Sequence, residues 1–322
     1  MFPAITLILI APLVAEILPG SAPISRPGLL PFLVLIYGPG ALLIRDVVRS
    51  RGGGWTSILL LGAAYGLVEE GIALQSLFNP VQYQASAWGR IGSFNAVYAE
   101  AAIPIHAIWS AAVPILLTDL CFPESRRRPY LGRIGRLVTA CWYGAGVVML
   151  SLLARYSIAP DYRAAPLMIR ACAAAALLLV VLAFVLPEAD AYGRSAGKAP
   201  GPALLMFLAA VVGFLWHAIV AALWRIQPAP GHWPAMLVPM TGAAVLIAAA
   251  FEYLRRATST PAWSDRHWLA LAAGLVIAHS LFGAIIFART AADRAGIAVL
   301  GSLLLVSVAM RVRAANASPP QS

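Results

Sequence analysis

The sequence predicts an all-α fold, a polytopic bundle of about ten transmembrane helices. Hydrophobic residues make up 61% of the 322 residues and charged residues only 11%, and the mean hydropathy is +0.82. This composition is far too apolar for a soluble globular domain. Apolar segments follow one another along the chain, most of them close to the roughly 20 residues that a helix needs to cross the hydrocarbon. Basic residues fall mainly in the short loops between these segments, as they do in membrane proteins.

Each predicted helix is justified by a run of apolar residues between two polar loops. The ten segments are 3–18, 29–46, 55–78, 96–122, 135–153, 166–186, 201–224, 235–254, 268–288 and 294–311. The first is short and contains Pro12 and Glu16, so we expect it to tilt or to insert only in part. The fourth contains Pro104 and Pro114, and each of these prolines removes a backbone hydrogen bond inside the span.

The arginines predict the orientation of the bundle. Of the 23 basic residues, 15 fall after the second, fourth, sixth and eighth segments and in the C-terminal tail. The positive-inside rule then places both termini in the cytoplasm. We expect residues 1–313 to form a single transmembrane domain and residues 314–322 to form a disordered cytoplasmic tail. The preference for Arg over Lys, with abundant Ala, indicates a bacterial protein of the plasma (inner) membrane.

Composition and motifs also limit the expected partners and cofactors. The excess of arginine is explained by topology, so we expect contact with the lipid bilayer and none with nucleic acid. Cys121, Cys141 and Cys172 lie at or inside apolar segments without metal-ligand spacing, and we expect them to be small buried residues. The sequence contains no P-loop, zinc-protease motif, nucleophile elbow or dinucleotide fingerprint. It therefore predicts no cofactor and leaves metal binding open.

Two adjacent acids, Glu69 and Glu70, lie inside the third apolar segment and are the best functional clue in the chain. An acidic residue within a membrane helix costs a few kcal/mol on insertion scales, so two of them indicate a use. Gly62 and Gly66 share their helix face with small-xxx-small spacing, which lets a neighbouring helix approach closely. We therefore expect the acids to face protein, where burial and mutual repulsion disfavour charge on both at once.

The fourth segment offers a partner for these acids. Glu70 lies nine residues before Asn79, and His106 lies ten residues after Ala96. At 1.5 Å per residue, both side chains lie ~14 Å below the same predicted boundary of the membrane. The sequence therefore predicts that the carboxylates and the imidazole meet at one depth. A carboxylate and an imidazole together can donate and accept protons.

Other charged residues of the spans are predicted to be structural. We expect Glu16 and Glu252 to reach the interface or to pair with arginine, Glu252 with Arg255 or Arg256. Arg45 and Asp46 are predicted to form an interfacial ion pair with each other.

The acids and histidines resemble the motifs of the CPBP group of intramembrane proteases, which includes the CAAX-prenyl endopeptidases. That group carries Glu-Glu-x-x-x-Arg, Phe-x-x-x-His and His-x-x-x-Asn on successive helices. Glu69 and Glu70 match the first motif, although Leu74 replaces its arginine. His106 and His279 match the other histidines, although the phenylalanine and the asparagine are missing.

The resemblance implies an intramembrane peptidase in which a glutamate activates water. Glu69 or Glu70 would be the general base, His106 would position the water, and His279 would stabilise the oxyanion. The substrate would be a peptide segment in the membrane. Two alternatives stay open: a proton- or cation-coupled carrier of a small molecule that uses the same acids, and a non-catalytic membrane scaffold.

Overall fold

The computed structural model describes residues 2–82, 89–186, 199–225 and 233–317, and ten helices make up most of this part of the chain. They are α1 (Phe2–Ile17), α2 (Pro27–Ser50), α3 (Trp55–Ala73), α4 (Ala96–Cys121), α5 (Arg133–Ile158), α6 (Pro166–Val185), α7 (Pro202–Arg225), α8 (Trp233–Thr258), α9 (Asp265–Ile286) and α10 (Ala291–Ala317). Two short antiparallel strands, β1 (Arg90–Ile91) and β2 (Phe94–Asn95), lie between α3 and α4.

The predicted fold class is confirmed: the protein is a helical membrane protein. In the described residues, α2 to α10 are nine helices long and apolar enough to cross a membrane, whereas α1 is shorter. The prediction of a short first segment is thus in line with the structure. The last helix runs to Ala317, so residues 314–317 are helical and not part of a disordered tail. Residues 318–322 of the predicted tail lie outside the described residues.

Helix α4 lies at the centre of the bundle and is the most buried of the described spans. It packs against α1, α2, α3, α9 and α10. By contrast, α5, α6 and α8 expose large apolar side chains to the surroundings, among them Leu137, Leu178 and Val245. Such apolar faces are suited to lipid contact, because lipid tails are as apolar as the side chains themselves. Cys172 is buried as predicted, but Cys141 lies on the exposed face of α5.

Four of the helices change from α-helical to π-helical hydrogen bonding. The π-helical stretches are Leu13–Ile17 in α1, Leu67–Ala73 in α3, His106–Ala112 in α4 and Ala154–Ile158 in α5. A π-helical turn is rare and is found frequently at functional sites. The π-helical stretches in α1, α3 and α4 contain Glu16, the Glu69–Glu70 pair and His106, respectively. These are the ionisable residues of the three stretches.

The loop between α4 and α5 is fastened to α2 by a buried ion network. Arg45 is fully buried, donates from Nε to Asp119 Oδ1 at 2.8 Å and donates to backbone carbonyls of the loop. Its guanidinium lies 3.2 Å from the ring centroid of Tyr130. Asp46 instead accepts from the backbone N–H of Tyr130 at 2.6 Å and of Leu131 at 3.0 Å. The predicted pair between Arg45 and Asp46 is therefore wrong, because neighbours on a helix point in different directions.

Candidate functional site

The site lies where α1, α2, α3 and α4 meet, and its ionisable side chains are buried. Glu69 is 3% exposed, Glu70 7% and His106 4%. Each comes from a π-helical stretch, in which the widened turn rotates side chains relative to the rest of the helix. The two acids are adjacent in sequence, and both reach the same imidazole.

The imidazole of His106 lies between the two carboxylates. Its Nε2 is 3.1 Å from Glu70 Oε1, and its Nδ1 is 3.6 Å from Glu69 Oε2. Nδ1 is also 3.2 Å from the hydroxyl of Ser110, one turn further along α4. The carboxylate of Glu70 can only accept, so Nε2 carries the hydrogen in that contact. The predicted meeting of acids and imidazole at one depth is therefore present in the structure, whereas their chemical role stays a prediction.

Close approach of α3 and α4 makes this contact possible. A Cβ on Gly66 would lie 2.9 Å from Cβ of His106, and a Cβ on Gly62 would lie 2.8 Å from Cα of Ala107. Both distances are shorter than any that real Cβ atoms show. The small-xxx-small spacing of these two glycines was recognised in the sequence, and the predicted close helix approach is confirmed.

The far side of Glu70 is held by two hydroxyl groups. Tyr98 donates to Glu70 Oε2 at 2.9 Å, and the hydroxyl of Ser76 bonds the same oxygen. Tyr98 is positioned by the start of α4, where the side chain of Asn95 accepts from the Tyr98 backbone N–H at 2.9 Å. Both oxygens of Glu70 are thus bonded, and this carboxylate is fixed in place.

Glu69 is linked by Tyr37 to a third acid, Glu16, which belongs to α1. The hydroxyl oxygen of Tyr37 is 2.7 Å from Glu69 Oε1 and 2.5 Å from Glu16 Oε1. The prediction that Glu16 reaches the interface or pairs with arginine is therefore wrong. No feature of the sequence points to Tyr37, whereas the position of Glu16 inside an apolar segment was a signal of the same kind as that of Glu69.

The contacts of Tyr37 require an extra proton. A phenol carries one hydrogen and can donate it to only one of the two carboxylates. The other short contact then needs a hydrogen supplied by the carboxyl group itself, with the phenol oxygen accepting. At least one of Glu16 and Glu69 is consequently a carboxylic acid in this arrangement, and the buried cluster holds a proton between two helices.

Two buried oxygens of the cluster make no hydrogen bond of standard geometry, Glu69 Oε2 and the hydroxyl of the neighbouring Tyr65. The two side chains are nevertheless close enough to interact with each other. The ring of Tyr65 lies edge-on to His106 with 5.5 Å between the ring centroids. Buried polar atoms are usually satisfied, so unbonded ones in a native site are associated with stored strain or with a catalytic role.

His279, the fourth predicted site residue, contacts other groups. Its Nδ1 is 3.0 Å from Nε2 of His217, and its ring stacks on Trp109 with 4.9 Å between centroids. His217 in turn contacts the carbonyl of Gly213 through Nδ1 at 2.8 Å. The structure thus joins Glu69, Glu70 and His106 in one cluster and places His279 in a histidine pair between α7 and α9. A catalytic role for His279 stays a prediction.

The donor set is suited to protons. Within the described residues, no group of three or more His, Cys, Asp and Glu side chains has a geometry that could hold a metal ion. Carboxyl, phenol and imidazole groups in hydrogen-bond contact can pass protons among themselves. The arrangement can therefore store a proton, transfer it, or use a carboxylate as a general base.

Comparison with known proteins identifies the family of the chain. A family model described as "Uncharacterized membrane protein family" matches residues 5–317 of the chain. No curated protein and no solved structure matches it. The match covers nearly the whole chain and is not to a CPBP protease family, so the resemblance to those proteases is wrong. That resemblance rested on a few residues, the acid pair and two histidines, and only one of these histidines, His106, contacts the acids.

Proposed function

The chain belongs to the uncharacterized membrane protein family, and we propose that it is a proton-coupled carrier of a small molecule, driven by protonation of the Glu69–His106–Glu70 cluster. The observation that carries the proposal is the pair of short contacts from the Tyr37 hydroxyl to Glu16 and to Glu69, which together need one proton more than the phenol supplies. Ionisable residues inside a membrane bundle typically mark ion pathways and proton relays. With the CPBP resemblance removed, nothing in the sequence indicates a peptide substrate.

The closed state of the site also favours proton binding. The three central side chains are each less than a tenth exposed, and they bond to one another and to neighbouring hydroxyl groups. A proton needs only hydrogen-bonded neighbours, while a peptide needs a cleft that receives an extended chain. The π-helical stretches supply local backbone freedom for the two conformations that a carrier requires.

The membrane and its orientation belong to the same proposal. The Arg-rich composition favours a bacterial plasma membrane, and the distribution of arginine favours cytoplasmic termini. In that orientation the end of α3 and the start of α4 lie toward the outside. The site would then lie in the outer half of the bilayer.

Proton flux into vesicles tests the proposal. The purified protein is reconstituted into liposomes with an internal pH dye, and a potassium diffusion potential drives protons inward, with and without a panel of small solutes. We expect Glu69-dependent acidification, lost in Glu69→Gln and in Glu70→Gln. Glu100→Gln is the matched control, because Glu100 lies on the same helix as His106 and outside the cluster.

Two results would count against the proposal. One is wild-type flux equal to that of protein-free vesicles under every condition. The other is loss of flux in the Gln variants together with an equal loss in thermal stability, which would indicate a scaffold.

Hydrolysis is the second candidate function, favoured by one observation. Glu69 Oε2 is buried 3.6 Å from His106 Nδ1 without a hydrogen bond of standard geometry, and a carboxylate beside an imidazole can act as a general base on water. Turnover of ester or amide substrates in detergent, lost in Glu69→Gln, would support this function. Proton flux without any turnover would support the carrier.

A further inference from the structure

We propose that Glu16 and Tyr37 form the route by which protons pass between Glu69 and the surface turn that joins α1 and α2. This inference rests on the proposed function, because it names the path that supplies the same site. In this route Tyr37 transfers the proton between the two carboxyl groups, and Glu16 is the carboxyl group nearer the surface.

A continuous series of short contacts leads from the surface to the cluster. Ser21 is exposed in the turn after α1, and its hydroxyl donates to Glu16 Oε2 at 2.6 Å. Glu16 Oε1 is 2.5 Å from the oxygen of Tyr37, which is 2.7 Å from Glu69 Oε1. All three distances lie within the range of about 2.5–3.0 Å for O–H···O hydrogen bonds. Each neighbouring pair is therefore close enough for a proton to move along an existing hydrogen bond.

The transfer needs no rotation of a side chain. In the starting state, the Glu16 carboxylic acid donates to the oxygen of Tyr37, and the Tyr37 hydroxyl donates to the Glu69 carboxylate. The O–H bond of Glu16 breaks as a new O–H bond forms on Tyr37, while the original O–H bond of Tyr37 breaks and one forms on Glu69. Tyr37 stays a neutral phenol, one proton has moved from Glu16 to Glu69, and the hydrogen bonds point the other way.

Close packing of α1 against α2 fixes this geometry. A Cβ on Gly38 would lie 2.8 Å from Cγ2 of Ile8, so only a glycine lets α2 approach α1 at this level. Tyr37 precedes that glycine and is 3% exposed. Glu16 is brought toward it by the π-helical stretch at the end of α1. The π-helical end of α1 and the close approach of α2 at Gly38 thus place the phenol of Tyr37 next to Glu16.

At the opposite end of the cluster, the residues that bond to Glu70 are buried. There Glu70 is bonded to Tyr98 and Ser76, which are 6% and 1% exposed. Ser21, by contrast, is an exposed residue in a loop. Within the residues that the structure describes, the hydrogen-bonded chain therefore reaches the surface through Glu16.

Exchange of the carboxylic proton with D₂O tests the route directly and does not depend on transport. Infrared spectroscopy of the purified protein resolves the C=O stretch of a protonated carboxyl group, which shifts when deuterium replaces hydrogen. For the carboxyl band of Glu69, assigned by its loss in Glu69→Gln, we expect rapid exchange in the wild type and at least tenfold slower exchange in Tyr37→Phe and in Glu16→Gln. Tyr143→Phe is the matched control, a tyrosine whose buried hydroxyl makes no hydrogen bond in the described structure.

Several outcomes would overturn the inference. Exchange in Tyr37→Phe and Glu16→Gln as fast as in the wild type would exclude this route, and so would the absence of any protonated-carboxyl band in the wild type. Phe and Gln preserve the size of the replaced side chains, and thermal unfolding of each variant verifies that it is folded. Slow exchange in both variants, combined with no proton flux in vesicles, would support the route and refute only the carrier function.

Discussion

Substitution of Gly66 by alanine tests whether close helix approach holds the site together. The added Cβ would lie 2.9 Å from Cβ of His106, while carbon atoms in good contact are ~3.5 Å or more apart. The imidazole must therefore retreat by about 0.6 Å. Its 3.1 Å contact with Glu70 would lengthen beyond the limit of a hydrogen bond. Overpacking of this kind lowers the free energy of unfolding by about 1–3 kcal/mol.

Gly144→Ala is the matched control for this substitution. Gly144 lies inside α5, and an added Cβ there would meet no heavy atom within 4 Å. Alanine in an open helical position stabilises the helix by ~0.5–1 kcal/mol relative to glycine. Thermal unfolding of the two variants in detergent should therefore shift in opposite directions, and Gly66→Ala should also lose proton flux. Equal shifts, or full flux in Gly66→Ala, would refute the packing argument.

Two further substitutions probe the buried ion network of Arg45 and the hydrogen bonds of Glu70. Arg45→Met removes a fully buried cation from Asp119 and should lower the free energy of unfolding by about 3 kcal/mol or more. Arg255→Met, at the solvent-exposed pair with Glu252, should lower it far less, because water screens that pair. Denaturant unfolding compares the two variants, and similar losses would contradict the prediction. Tyr98→Phe removes one hydrogen bond to Glu70 and should lower stability by ~1 kcal/mol while proton exchange in D₂O stays rapid, because the route runs through Tyr37.

Much of the fold could be predicted because a membrane-spanning helix is recognisable from the length and composition of its segment. The apolar segments correspond to the ten helices, and the depth argument brought Glu70 and His106 together from counts along two helices. That argument worked because the rise per residue of a helix is fixed and antiparallel neighbours share a boundary. The Glu252 pairing with Arg255 and Arg256 was equally accessible, since three- and four-residue spacing places side chains on one helix face.

The rest depended on contacts between distant segments. Tyr37 looks like an ordinary aromatic residue in an apolar segment, and only the packing of α1 on α2 gives it two carboxyl partners. Arg45 seemed to pair with its neighbour, but its real partner, Asp119, lies 74 positions away. The π-helical stretches have no simple sequence signature, because they arise where one extra residue is accommodated in a packed helix. Glu16 was misjudged because it lies near the end of its segment, a position that suggested the membrane interface.

The clustering of the acids indicates that they do more than hold the helices together. Buried ionisable groups are poor stabilisers, because well-packed apolar residues of similar volume are often as good or better. Here three acids and one imidazole from three helices are joined through a phenol, and each helix departs from α-helical geometry at the residue that contributes. A scaffold would need none of these departures. The Gln variants of Glu69 and Glu70 separate the two possibilities: if the acids only hold the helices together, the variants should lose thermal stability along with proton flux, whereas acids that carry protons should lose flux with most of the stability retained.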